Sequence, residues 1–405
     1  MNQHSPAGVA TPPFIDPRTL NDNPHVNLAA LRVHYPVIQL GEKQYMALRA
    51  KDVAGLLNDP RTKQIEGVDY ARFQRMPEGP VTRFVSDFFL FSNGDAHRLR
   101  RGRFARTFAY GAMRAARDEV RAVADEIVAD LPRGESFDFV DRMAARVPSE
   151  MIAAILGLPR SEARYFAARV YKFARVISPV YPHDCHDEIE TATQELFDYV
   201  EGHMRARLET PRDDLLTQLV TDWRENPDIS FDSLVIQVLG IIVGGSDTTR
   251  AAFAMLVALL LRHSGQWEAV KADPGLIPGA VDEAVRFEPS VGSVARFTTA
   301  EVEIGGVTVA PGSMLRLSTM SAMRDPELYA FPDQFDISRT DHPRMHAAFG
   351  GGPHRCIGEM LARIEMQESL AALIAAAPDI EMEIAPRMLG CAAIRQITPM
   401  QVRIH

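Results

Sequence analysis

The residues best suited to chemistry fall in one run, Phe349-Gly350-Gly351-Gly352-Pro353-His354-Arg355-Cys356-Ile357-Gly358. Glycines and a proline in succession forbid regular helix or strand. Good helix formers follow, so Cys356 stands where a loop enters a helix. There the helix dipole and free N–H groups favour a thiolate, and glycines let backbone amides approach its sulfur. Two plainer readings compete. Gly-rich loops before helices also bind phosphate, but this one lacks the Gly-Lys-Ser/Thr ending. Most lone cysteines are simply buried. The other cysteines, Cys185 and Cys391, lie far away, and none sits in a C-x-x-C pair. That pattern argues against a disulfide framework and a structural zinc site and leaves chemistry at a single thiolate.

Three further segments carry polar groups in unusual settings. Gly244-Gly245-Ser246-Asp247-Thr248-Thr249 falls midway along an apolar helical stretch. A helix-interior glycine costs about 1 kcal/mol relative to alanine, and an acid among apolar residues costs more unless satisfied. The plain reading is a kinked helix whose hydroxyls bond back to the backbone. Glu283 and Arg286 are three apart on one helix face; alone, such a pair is a common surface bridge. Asp95 to Arg101 reads by default as a solvated basic face, with His97 and Arg101 four apart.

Together these segments resemble the cytochrome P450 superfamily, and the cysteine run is similar to its haem loop, Phe-Gly-x-Gly-x-His-x-Cys-x-Gly, at every defined position. The resemblance implies that Cys356 is the axial thiolate ligand of haem b iron, with Phe349 beside it and Gly350 and Gly358 letting the chain approach the haem. It makes Gly244 to Thr249 the oxygen-binding groove of the central helix, Thr248 bonding dioxygen and Asp247 relaying protons. His97, Arg101, Arg296 and His354 would hold the two propionates, which need cationic donors. Glu283 and Arg286 would lock the core behind the loop with Arg339 as third partner. The family's asparagine before Arg324 is Met323 here, which removes one expected polar contact. The motifs run from residue 95 to 358 in the family's order. The implied fold is mainly α with small β-sheets, one α+β haem domain over residues 31–405 behind an irregular segment, 1–30, with a long helix over the haem.

The elements that must position these groups are legible in part. Residues 31–60 suggest a strand pair, Val37–Leu40 and Tyr45–Ala47, then a helix ending near Pro60. Residues 61–95, rich in Gly, Pro and Phe, read as a long irregular loop. From Asp95 onward apolar residues recur at three and four, as in Val120, Val123 and Ile127. Ser230 is a candidate N-cap for a helix from Phe231 to about His263, apolar on nearly every side and so fit to cross the protein's centre. Residues 294–317 read as β-hairpin, broken at Gly305-Gly306 and Pro311-Gly312, and 390–402 as another.

The chain has 405 residues and a net charge of −9, which disfavours global nucleic-acid binding. Its longest apolar run, Ala251 to Leu261, is too short for a bilayer core, and no targeting signal is visible, so the reading is a cytoplasmic monomer without a membrane partner. No flavin or iron–sulfur segment is present. Electrons must then come from NAD(P)H through a separate reductase and a [2Fe–2S] ferredoxin. Between His97 and Arg117 lie seven arginines and no acid. Arg98, Arg103 and Arg106 are taken from that run as a docking patch for the acidic ferredoxin; a solvated helix face is the plain alternative.

By the same resemblance the substrate pocket draws on Phe84, Phe88, Phe89, Leu239, Val243, Val291, Val294 and Ile394, each of which could equally be core. As a set they suit a compact apolar ligand such as a terpenoid or small aromatic, while Arg72, Arg75 and Arg83 leave room for a carboxylate handle. The implied reaction inserts one atom of O2 into that substrate. Alternatives are a peroxide-driven or non-hydroxylating relative and a haem protein that only binds or senses a ligand; the Asp247-Thr248 pair argues for oxygen activation.

Overall fold

The computed structural model describes residues 11–177, 180–343 and 346–405. Its organising element is the helix Phe231–Arg262, 32 residues long and so about 48 Å from end to end. Ser230 caps it, its side chain accepting from the Ser233 amide at 3.0 Å. Apolar residues cover nearly every side, so nearly every side is buried. Its length and apolarity alone would allow a membrane span, but most of it lies inside the protein. The helices Arg146–Leu156, His186–Glu209 and Glu359–Ala376 pack against it. The main apolar cluster extends from Ile65 to Ile404.

A five-stranded sheet stands beside this helical mass. Val37–Gly41 pairs antiparallel with Gln44–Ala47, close to the strand pair expected from sequence. Gln44–Ala47 then runs parallel to Met314–Ser318, which pairs antiparallel with Ser293–Thr298. Thr62–Lys63 closes the far edge. The expected hairpin is present as Val302–Ile304 and Val307–Val309, turning at Gly305 and Gly306, both at positive φ. Near the C-terminus Met388–Leu389 pairs with Gln396–Ile397.

Two expectations are corrected. The segment 1–30 is not irregular where it is described: Asp16 caps Pro17–Leu20, and Pro24 opens the helix Pro24–His34. Those prolines sit at helix starts, where a missing N–H costs nothing. Residues 61–95 are not one long loop. They fold into the helices Gly67–Phe73 and Pro80–Asp87 and a turn at Phe89–Phe91. Glycine is required at 67, because a Cβ there would lie 1.9 Å from the Val85 carbonyl oxygen.

Candidate functional site

The cysteine loop is held by its own backbone. The Cys356 amide donates to the Phe349 carbonyl at 2.8 Å, and Arg355 Nη1 to the Gly350 carbonyl at 3.1 Å. Gly350 and Gly352 have φ of +69° and +62°. A Cβ on Gly352 would lie 2.7 Å from the Leu57 carbonyl oxygen, so the loop rests directly on that backbone. The Arg363 guanidinium lies 5.0 Å from the Phe349 ring centre. Cys356 precedes the helix Glu359–Ala376 and its cap residue Gly358, as expected. Its side chain is exposed, yet it is surrounded deeply enough for burial to push its thiol pKa up. The Gly358 amide, Arg101 and Arg355 oppose that rise.

The central helix is breached at one point. Gly244 is exposed between buried Val243 and Ser246, and a Cβ on it would meet nothing within 4 Å. Gly245 instead packs near Ile152. Ser246 bonds back to the Ile242 carbonyl at 2.7 Å, so the plain reading of the hydroxyls holds there. Thr248 does so only loosely, 3.4 Å from the Gly244 carbonyl, which leaves its hydroxyl available. Asp247 is buried and bonded to Arg250 Nη2 at 2.5 Å. Burial raises its pKa against the pull of Arg250, whose guanidinium stacks over Tyr171 at 3.8 Å.

Four donors converge with no acid paired to them among the described residues. The His97 and His354 rings are 4.2 Å apart, and His97 Nε2 and His354 Nδ1 are buried without a hydrogen-bond partner among the described residues. Burial lowers His97 to about 4 and His354 to about 3. Among the described residues Arg296 Nη1 reaches only the Gln64 side-chain oxygen and the Ala295 carbonyl, and burial lowers its pKa to about 10. Arg101 donates to the Arg355 carbonyl at 2.6 Å.

Behind the loop, Glu283 and Arg286 are both fully buried. Arg339 Nε reaches Glu283 at 3.1 Å, as third partner. The Met323 backbone carbonyl accepts from Arg286 Nη1 at 2.9 Å, a bond that any residue at this position can make.

The pocket candidates divide. Phe88 fills the notch at Gly240, where a Cβ would sit 2.0 Å from its ring, beside buried Leu239 and Val243. Phe84 packs edge-on to Phe173 in the core. Phe89 sits 6.2 Å from His97, among the four donors. Val291 and Ile394 meet across a β-bridge, and Val294 packs into the apolar cluster under the sheet. Sequence reasoning missed Gln237, which clasps the segment by accepting from the Phe89 amide at 2.9 Å and donating to the Asp87 carbonyl at 3.0 Å. A lone amide in an apolar helix was the available signal.

The arginine run is corrected. Arg103 is largely buried and pairs with Asp228, so it does not face a partner. Arg98 pairs with Asp95, Arg100 with Asp87 and Arg117 with Glu368. Arg106 and Arg114 are exposed. The carboxylate-handle candidates are also occupied in part: Arg72 pairs with Asp69, and Arg83 lies over the Phe197 ring.

Comparison with known proteins decides the family. Residues 276–376 match the family model for cytochrome P450. The plant-inducible cytochrome P450-pinF1 of Rhizobium radiobacter is 35% identical over 95% of this chain and 91% of its own length. The chain belongs to the cytochrome P450 family. Nocardicin C N-oxygenase of Nocardia uniformis subsp. tsuyamanensis is 30% identical over 93% of each chain. Among solved structures, the P450 enzyme CxnD, for C–S bond formation in chuangxinmycin biosynthesis, superposes with a TM-score of 0.85, at 28% identity and 95% coverage of both chains. The protein is thus a bacterial-type cytochrome P450 monooxygenase, a family that carries haem and takes electrons from a reductase system. This P450's residues fit that group. An accessible thiol meets the iron's need, two imidazole nitrogens and two arginines with no partner acid among the described residues suit paired carboxylates, and the face at Gly244 is open.

Proposed function

We propose that this P450 binds haem b over residues 31–405 as one domain, with Cys356 as thiolate ligand, and inserts one atom of O2 into a small, mostly apolar organic molecule. The accessible Cys356 thiol, at the end of the glycine loop and just ahead of the helix Glu359–Ala376, carries this reading. Bound haem supplies the oxygen-activating chemistry. The chain's own groups do the rest. His97, His354, Arg101 and Arg296 would hold the propionates and so fix the group's orientation. The Gly358 amide bonds the Cys356 sulfur and tunes it. Thr248, loosely bonded to Gly244, would offer its hydroxyl on the open face of the central helix, and Asp247, once released from Arg250, would take up a proton and pass it on. Phe88, Val291 and Ile394 exclude water from the substrate.

Electrons come from NAD(P)H through a separate reductase and a [2Fe–2S] ferredoxin, in the cytoplasm. Docking then rests on exposed Arg106 and Arg114, with Arg98 at its margin and Arg103 as an internal tie. Incubation of the haem-loaded protein with ferredoxin, reductase, NADH and 18O2 tests the reading. One labelled oxygen per product is expected; turnover driven by peroxide alone would overturn the route.

A further inference from the structure

Enclosed arginines in this fold are generally bonded. Arg32 donates to the Ser321 and Arg324 carbonyls, Arg207 pairs with Asp214, Arg286 with Glu283, and Arg395 with Glu288. Arg316 breaks the pattern. It stands in the middle of the strand Met314–Ser318, half-buried, and makes no hydrogen bond or ion pair with any described residue. Burial nonetheless lowers its pKa, and the groups that oppose this are Tyr70 and Cys391. Neither is an anion near neutral pH: burial pushes the Tyr70 hydroxyl to about 12 and raises the Cys391 thiol. A half-buried guanidinium with no partner among the described residues is a cation left without its anion.

Register places that guanidinium on the sheet. Arg296 pairs with Leu315 and Arg316 with Ala295. Successive side chains on a strand point to opposite faces, so Arg316 and Arg296 lie on opposite faces of the sheet. Arg316 is therefore not a further propionate donor. The turn that bears Cys391 packs on Gly292, whose amide donates to the Ala393 carbonyl at 2.8 Å, and the same turn brings Ile394 against Val291. Tyr70 comes from the helix Gly67–Phe73, tied to the Val176 carbonyl at 2.7 Å. Strand, turn and helix thus meet around a cation, and none supplies its counter-charge.

We propose that Arg316 is an anion subsite of the substrate pocket, and that the substrate is an organic carboxylate whose apolar part lies along Val291 and Ile394. This rests on the monooxygenase reading above and names its substrate class. A guanidinium fork pairs with a carboxylate through two charge-assisted bonds, and the enclosure strengthens them relative to open water.

The test uses matched pairs, 4-phenylbutanoate, 2-naphthylacetate and decanoate, each against its primary amide. Binding to the haem-loaded protein is read by calorimetry and by the haem spin-state shift. At least one acid is expected to bind about tenfold or more tightly than its amide. That preference should shrink to about twofold or less in Arg316→Gln and survive in part in Arg316→Lys. No acid preference in any pair, including a panel in which nothing binds, overturns the proposal, as does a preference that Arg316→Gln retains. The reduced carbon monoxide spectrum of the same preparation separates the two readings. If the thiolate signature is missing, the monooxygenase reading fails, whatever calorimetry shows for Arg316.

Discussion

Replacing Glu283 by glutamine removes one charge that several buried donors share. Oε1 accepts from Arg286 Nη2 at 2.8 Å and from the Asp336 amide at 2.9 Å. Oε2 accepts from Arg286 Nε at 2.6 Å and from Arg339 Nε at 3.1 Å. A glutamine keeps one acceptor and turns its NH2 toward donors. Breaking a buried pair by removing one partner costs about 3–5 kcal/mol, because the remaining charge is left uncompensated. Arg286 keeps the carbonyls of Met323, Pro332 and Gln334, which hold part of its charge. The lower end, about 3 kcal/mol, is therefore expected. Against a typical total of about 5–15 kcal/mol, the variant folds but loses a large share of its margin. The assay is urea unfolding of the haem-loaded protein, followed by circular dichroism, for Glu283→Gln, Arg286→Met and the double variant. The double should cost at least about 1.5 kcal/mol less than the sum of the singles, since neither charge is then orphaned. A loss below about 1 kcal/mol for Glu283→Gln, as for a surface pair, or strict additivity, would refute the reasoning.

Other consequences follow from the same geometry. Gly240→Ala forces Phe88 from its notch and should cost about 1–3 kcal/mol, read as a lower melting temperature together with weaker ligand-induced spin shift; unchanged values would mean that Phe88 does not pack as described. Asp247→Asn should cut the turnover rate by about a hundredfold with ligand affinity unchanged, while an unchanged rate would remove Asp247 from proton delivery. For Glu288, burial alone would raise the carboxyl, but Arg395, His25 and Arg324 outweigh it and hold it at about 2, below its ordinary 4.5. Because the folded pKa is the lower one, this stabilisation is complete above pH 4.5 and is lost as pH falls towards 2, about 3 kcal/mol in all. Acid unfolding of Glu288→Gln should lack that part of the profile, and a superimposable curve would contradict it.

Local rules made much of the site legible. The Ser230 cap, the alternating strand pair and the glycines of the cysteine loop each act within a few residues, so spacing alone reveals them. The short helices at Gly67–Phe73 and Pro80–Asp87 were hidden because Gly and Pro there serve helix contact and helix start, not irregular chain. Arg103 looked free because its partner, Asp228, lies far along the sequence. Arg316 was invisible for the opposite reason: an absent partner leaves no mark on a sequence.

The central claim is that Cys356 is the thiolate on haem iron. The reduced carbon monoxide difference spectrum of the wild-type protein and of Cys356→Ser tests it most directly. The wild type should give the thiolate-ligated band, and the serine variant should lose it while Cys185→Ser and Cys391→Ser keep it. A thiolate band that survives in Cys356→Ser, or one missing from the wild type, would contradict the account.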